Sequence, residues 1–160
     1  MDIRYRKEVD AINNGIASFN LFLNLNHLVP AFRFDTMLNE QHCIKVVHGD
    51  WHAFSFPNSP KRGVYFIFGH EKTVQEKNGL YIGKASFGSS IGDRLYYRLH
   101  PYRSQTHFVM TGYEQETYVL DFMASIDLDS PGLSFMAPAL EEFLISNLKS
   151  KLNLINGTGN

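Results

Sequence analysis

The stretch RGVYFIF, Arg62 to Phe68, is followed across a polar connection, GHEKTVQEKNG, by LYIGKAS, Leu80 to Ser86. In the first run Val64, Phe66 and Phe68 alternate with Tyr65 and Ile67, the period-two pattern of a pleated strand. The second run is short and apolar, and the two are expected to pair as an antiparallel hairpin. Each carries a tyrosine in a glycine triplet: Gly63-Val64-Tyr65 in one and Tyr81-Ile82-Gly83 in the other.

Outward from this hairpin, HFVM and TYVLDFM read as further strands separated by TGYEQE, while CIKVV and HAFSF read as short strands around HGDW and PNSP as a loop. Near the N-terminus Tyr5, Val9, Ile12, Ile16, Phe19 and Leu23 recur at spacings of three and four, the apolar stripe of an amphipathic helix that closes before Pro30 and its turn. Two more helices are predicted, from Gly92 to about His100 and from Pro138 to about Leu152. The expected fold is α+β: a small mixed or antiparallel sheet flanked by helices. Residues 1–62 form a helical extension with short strands, packed on a main domain of residues 63–160.

Both later helices carry residues that call for explanation. Ser90-Ile-Gly-Asp93 fits a capping box, in which the Ser90 hydroxyl accepts from an early backbone N–H and Asp93 reaches back. On the wheel that follows, Ile91, Leu95 and Leu99 form one stripe, with Arg94 and Arg98 at its edge. In the last helix Leu140, Leu144, Ile145, Leu148 and Leu152 define a core face. Glu141 falls within that arc, whereas Glu142 points away. A carboxylate aimed at a core must be paired, protonated or bound to a metal.

A length of 160 residues suits one compact unit, and 44% hydrophobic with 19% charged residues is the composition of a folded protein. The N-terminus is charged, and no apolar run approaches the ~18 residues of a membrane span. Cys43 is the single cysteine, as expected in a reducing compartment, so a cytoplasmic location without membrane attachment is expected. The net charge of −1 argues against a generic polyanion binder, yet Pro60 to Arg103 holds eight Lys/Arg against three Asp/Glu. Ser104 to Leu140 holds five acids and neither Lys nor Arg. A phosphate-facing surface therefore belongs to the first segment.

From Gly63 to Asn153 these elements together resemble the GIY-YIG nuclease superfamily. Gly63-Val64-Tyr65 looks like its first motif and Tyr81-Ile82-Gly83 its second. Arg94, in SIGDRLYYRL, falls where the family places an arginine on the first helix, favoured by the Arg-Leu dipeptide and the capping box, with Arg98 as the alternative. Glu141 falls on the later helix, and Asn153 lies twelve residues beyond it, much as in the excision-repair branch. The resemblance implies a metal-dependent DNA endonuclease. Tyr65 would be the general base, Tyr81 would orient water or phosphate, and Arg94 would hold the scissile phosphate through its planar fork. Glu141 would bind Mg2+ or Mn2+, Asn153 would fix the arrangement, and Lys84 would lower the Tyr65 pKa. A double-strand cut needs two sites, so an enzyme of the restriction type would act as a homodimer.

Other readings of the same residues are a catalytically inactive module that binds nucleic acid, and a protein-interaction factor that uses the acidic stretch YEQETYVLDFMASIDLD. A zinc site at Cys43, His48 and His52 has a spacing that matches no closed four-ligand pattern. Taken singly, Tyr65 and Tyr81 fit ordinary sheet tyrosines.

Overall fold

The computed structural model describes residues 3–23, 29–30, 43–45, 56–99, 107–108 and 117–156. Strands β1 (Cys43–Lys45), β2 (Gly63–Glu71), β3 (Asn78–Ala85), β4 (His107–Phe108) and β5 (Tyr118–Asp127) form one sheet in the order β1-β5-β2-β3, with β4 also paired to β5. Every ladder is antiparallel, and the long strands β5, β2 and β3 make the body of the sheet. The helices are α1 (Arg6–Leu23), α2 (Ile91–Leu99) and α3 (Ala137–Leu148). The chain is thus α+β, and no helix among the described residues is long and apolar enough to cross a membrane.

Strand alternation divides the core in two. Val64, Phe66, Phe68, Leu80, Ile82, Phe122, Ala124 and Ile126 face α1 and α3, joining Val9, Ile12, Ile16, Leu140, Leu144 and Leu148 in the larger cluster. The opposite face presents Tyr65, Ile67, Tyr81, Leu120 and Met123 to Ile91, Leu95 and Leu99 of α2. GVYFIF is buried along its whole length because both faces of its strand are covered. The helix read from the N-terminal stripe starts at Arg6 after a 3-10 turn at Ile3–Tyr5, and its apolar face lies in the same cluster as the sheet.

α1 is also tied down by polar contacts. Between Phe68 and Gly69 the register of β2 against β5 shifts by one, leaving Asp121 as a bulged residue. Its Oδ2 accepts from the Tyr5 hydroxyl and lies 2.6 Å from His70 Nδ1. Asn78 Nδ2 donates to the Arg4 carbonyl and to Glu8 Oε1, both at 3.1 Å.

The acidic stretch read as a protein contact overlaps β5, which lies between β2 and the short β1 and β4; its residues 113–116 lie outside the described residues. One sequence reading changes here. The last helix ends at Leu148 rather than near Leu152. After it the chain turns and runs beside β3, where Leu154 forms a parallel bridge with Leu80. Of HAFSF only Phe56 is among the described residues, and His48 and His52 lie outside them.

The start of β2 is held at its junction with the end of β5. Asp129 Oδ2 accepts from the Arg62 backbone N–H at 2.7 Å, and Oδ1 accepts from its guanidinium at 2.7 and 2.8 Å. Burial works to raise the Asp129 carboxyl, but the Arg62 hydrogen bonds outweigh it and hold it below the usual carboxylate range. A depressed folded pKa means stability that is present above the unfolded value and lost as pH falls through the folded one. Asp129→Asn should therefore lower the unfolding free energy at neutral pH by about 1–2 kcal/mol. The difference from wild type should shrink below about pH 4, as followed by urea denaturation across pH.

Candidate functional site

The register of the hairpin brings the two triplets together. Tyr65 stands opposite Gly83 and Ile67 opposite Tyr81, so both tyrosines emerge on the α2 face. A Cβ built on Gly83 would lie 2.3 Å from Tyr65 Cζ and 2.5 Å from its hydroxyl oxygen. The glycine is needed because the phenol lies across the backbone of β3. Gly63 has a matching reason: its Cβ would come within 2.0 Å of the Ile126 carbonyl oxygen.

The rings of Tyr65 and Tyr81 are 6.1 Å apart, tilted by 31°. Arg98, from the last turn of α2, lays its guanidinium 5.0 Å from the centre of the Tyr81 ring, within hydrogen-bonding reach of both phenols. Burial disfavours its charge, but the two tyrosines outweigh that and raise its pKa. Burial and the neighbouring Tyr81 push the Tyr65 phenol above its ordinary value, and Arg98 pulls it back in part. Tyr65 is only 3% exposed, so in the free protein it is a neutral, covered phenol.

Arg98, not Arg94, is therefore the guanidinium at the tyrosine pair. The capping box forms as expected, with Ser90 N–H on Asp93 Oδ2 at 2.9 Å and Asp93 N–H on Ser90 Oγ at 3.1 Å. One turn into the helix it starts, Arg94 points to the preceding loop, where its Nε donates to Ser89 Oγ at 2.9 Å.

Lys84 and Glu141 do meet, on the other side of the sheet. Lys84 stands opposite Val64 in the register and so shares its face, with α3 above it. Its Nζ lies 2.6 Å from Glu141 Oε2, in a carboxylate side chain that is 15% exposed. This corrects the expectation that Lys84 supports Tyr65: strand alternation turns the lysine away, and Arg98 takes that position. It also answers why Glu141 lies in an apolar arc, since the lysine reaching up from β3 is its partner.

Asn153 is placed elsewhere. Its Nδ2 donates to the Asn78 carbonyl at 2.9 Å and to the Tyr118 hydroxyl at 3.1 Å, at the opposite end of β3 from Lys84. Six residues of strand separate these ends, roughly 20 Å. Asn156 lies closer to the motif. Its side-chain amide accepts from the Ile82 N–H at 2.9 Å and donates to the Ile82 carbonyl at 2.6 Å, pairing the open edge of β3 in the middle of Tyr81-Ile82-Gly83. No spacing rule singles out Asn156, because its role depends on where the chain turns after α3.

Among the described residues, no group of three or more His, Cys, Asp or Glu could hold a metal ion. Glu141 offers a partly exposed carboxylate of the kind that Mg2+ accepts while keeping most of its water, unlike the closed donor set of a structural zinc. Lys84 engages Oε2, so Oε1 is the donor a cation would use. Comparison with known proteins returns no match: no family model fits the chain, and no curated protein or solved structure matches it.

Because the Tyr65 ring occupies the space over Gly83, Gly83→Ala should destabilise the fold by about 1–3 kcal/mol. The same substitution in a Tyr65→Ala background should cost much less, as measured by denaturant melts of the four proteins.

Proposed function

We propose that the chain is a GIY-YIG-type endonuclease that hydrolyses phosphodiester bonds in DNA. The observation that supports this reading is the pairing of the two triplets: Tyr65 packs on Gly83 and Tyr81 stands two residues along the same face, with the Arg98 guanidinium over the Tyr81 ring. Phosphodiester hydrolysis needs charge relief on the phosphoryl oxygens and a proton acceptor for water. The planar donor fork of Arg98 suits the first task and Tyr65 the second, with Tyr81 orienting the group between them. Glu141 would hold Mg2+ or Mn2+, which when bound would supply charge neutralisation at the leaving oxygen; the carboxylate lies on the α3 face, so that charge would reach a phosphate at Arg98 only around the end of β3. Lys84 Nζ, 2.6 Å from Glu141 Oε2, fixes the orientation of that carboxylate at the end of β3.

A second reading, a DNA-binding module of the same fold without cleavage, is favoured by two observations. Tyr65 is covered and its phenol is raised, and one oxygen of Glu141 is already engaged by Lys84. In that case Arg98 would bind phosphate without reaction.

Nicking of supercoiled plasmid separates the two. Wild type with Mg2+ should nick, and chelation, Arg98→Ala or Glu141→Gln should each reduce the rate at least ~100-fold, with fold checked by circular dichroism. A Tyr65 base with a raised pKa is almost wholly protonated at neutrality, so its active fraction grows tenfold per pH unit. The log rate should climb with pH from about 7 to 9 without levelling. DNA binding without nicking at any pH would favour the binding module.

A further inference from the structure

The loop between β3 and α2 carries a feature that the catalytic reading does not use. Phe87 is 85% exposed and has φ of 57°, in the left-handed region that bulky side chains rarely adopt. An aromatic ring in water and a backbone strained to present it both count against the free protein, a pattern found where a segment is shaped for a ligand. The strain is braced. Ser89 N–H and Oγ reach the Ser86 carbonyl at 3.4 and 3.2 Å, and Arg94 Nε holds Ser89 Oγ at 2.9 Å.

The adjoining flank of α2 presents Arg94, Tyr97 and Arg98 within an arc of about 100° on the helical wheel, and Tyr97 is 77% exposed. Arg98 sits over the Tyr81 ring, Arg94 braces through Ser89 the loop that carries Phe87, and Tyr97 stands on the same helix flank with its ring edge-on to Tyr96. Cations interleaved with rings do not make the continuous apolar patch of a protein interface. They fit a strand of nucleic acid, whose phosphates and base faces recur in turn.

We propose that Phe87 is a stacking residue for an unpaired base, and that this face takes DNA with a bulged, displaced or single-stranded segment in preference to a continuous duplex. The proposal rests on the nucleic-acid reading above and names its substrate class. Arg98 would hold a phosphate beside the unstacked base, and Tyr97 would offer a second ring along the strand. A continuous duplex keeps its bases stacked on one another and gives Phe87 nothing to receive.

The test is binding, with chelator present, to two oligonucleotides of the same sequence: a duplex with a three-base bulge containing 2-aminopurine, and its fully paired counterpart. Wild type should bind the bulged probe ~10-fold more tightly and change its fluorescence. Phe87→Gly should abolish that preference while leaving affinity for the paired duplex within about twofold, and Phe87→Tyr should keep the preference because the ring is retained. Glycine accepts the left-handed conformation, so the Phe87→Gly Tm should equal or exceed that of wild type. An equal loss on both probes, no loss on either, no binding by wild type, or a Tm lower by several degrees would each overturn the proposal. Phe87-dependent binding without plasmid nicking would leave it standing and reject only the nuclease reading; nicking without Phe87 dependence would do the reverse.

Discussion

The rest of the site depends on one contact, the Tyr65 ring lying across the backbone of Gly83. Side-chain period in a strand is two, so a slip of one residue in the β2–β3 register would send Tyr65 to the α1–α3 core and replace it with Val64 or Phe66. The contact opposes that slip, because the neighbouring positions, Ile82 and Lys84, carry the Cβ that Gly83 lacks. Once it is set, Tyr81 must emerge beside Tyr65, and α2, packed through Ile91, Leu95 and Leu99, brings Arg98 over the Tyr81 ring.

The same alternation explains the division of the polar residues. Lys84 follows Gly83 and therefore points to the other face, where α3 supplies Glu141. The two groups belong to one strand end but to opposite sides of the sheet, held at a common edge by the last residues of β3. That edge is kept from open pairing by the chain after α3. Leu154 bridges Leu80, and the Asn156 amide occupies both backbone groups of Ile82. The N-terminal helix shares the face covered by α3, with Asp121 at a bulge serving Tyr5 and His70.

Much of this was legible in the chain. The alternation in GVYFIF, the three-and-four spacing before Leu23, and the Ser90–Asp93 capping box each describe a local structure that packing then keeps, because local preference and burial agree. Glu141 could be recognised as an anomaly, since an acid in an apolar arc needs a partner, but helical spacing says nothing about which residue crosses from another element. Arg94 and Arg98 sit at the same edge of the wheel, and only the tilt of α2 on the sheet separates them. Asn153 has the more suggestive spacing from Glu141, yet the turn after Leu148 carries it to the start of β3 and brings Asn156 to the motif. Such assignments are tertiary, and no local pattern encodes them.

The central claim is that Tyr65 and Arg98 act as one unit on a phosphodiester. Single-turnover cleavage rates of wild type, Tyr65→Phe, Arg98→Ala and the double variant test it most directly. Residues that act together lose most of their effect with the first removal, so the double variant should be scarcely slower than the worse single one. A double variant slowed by the product of the two single factors would show that the residues act independently and would contradict the account.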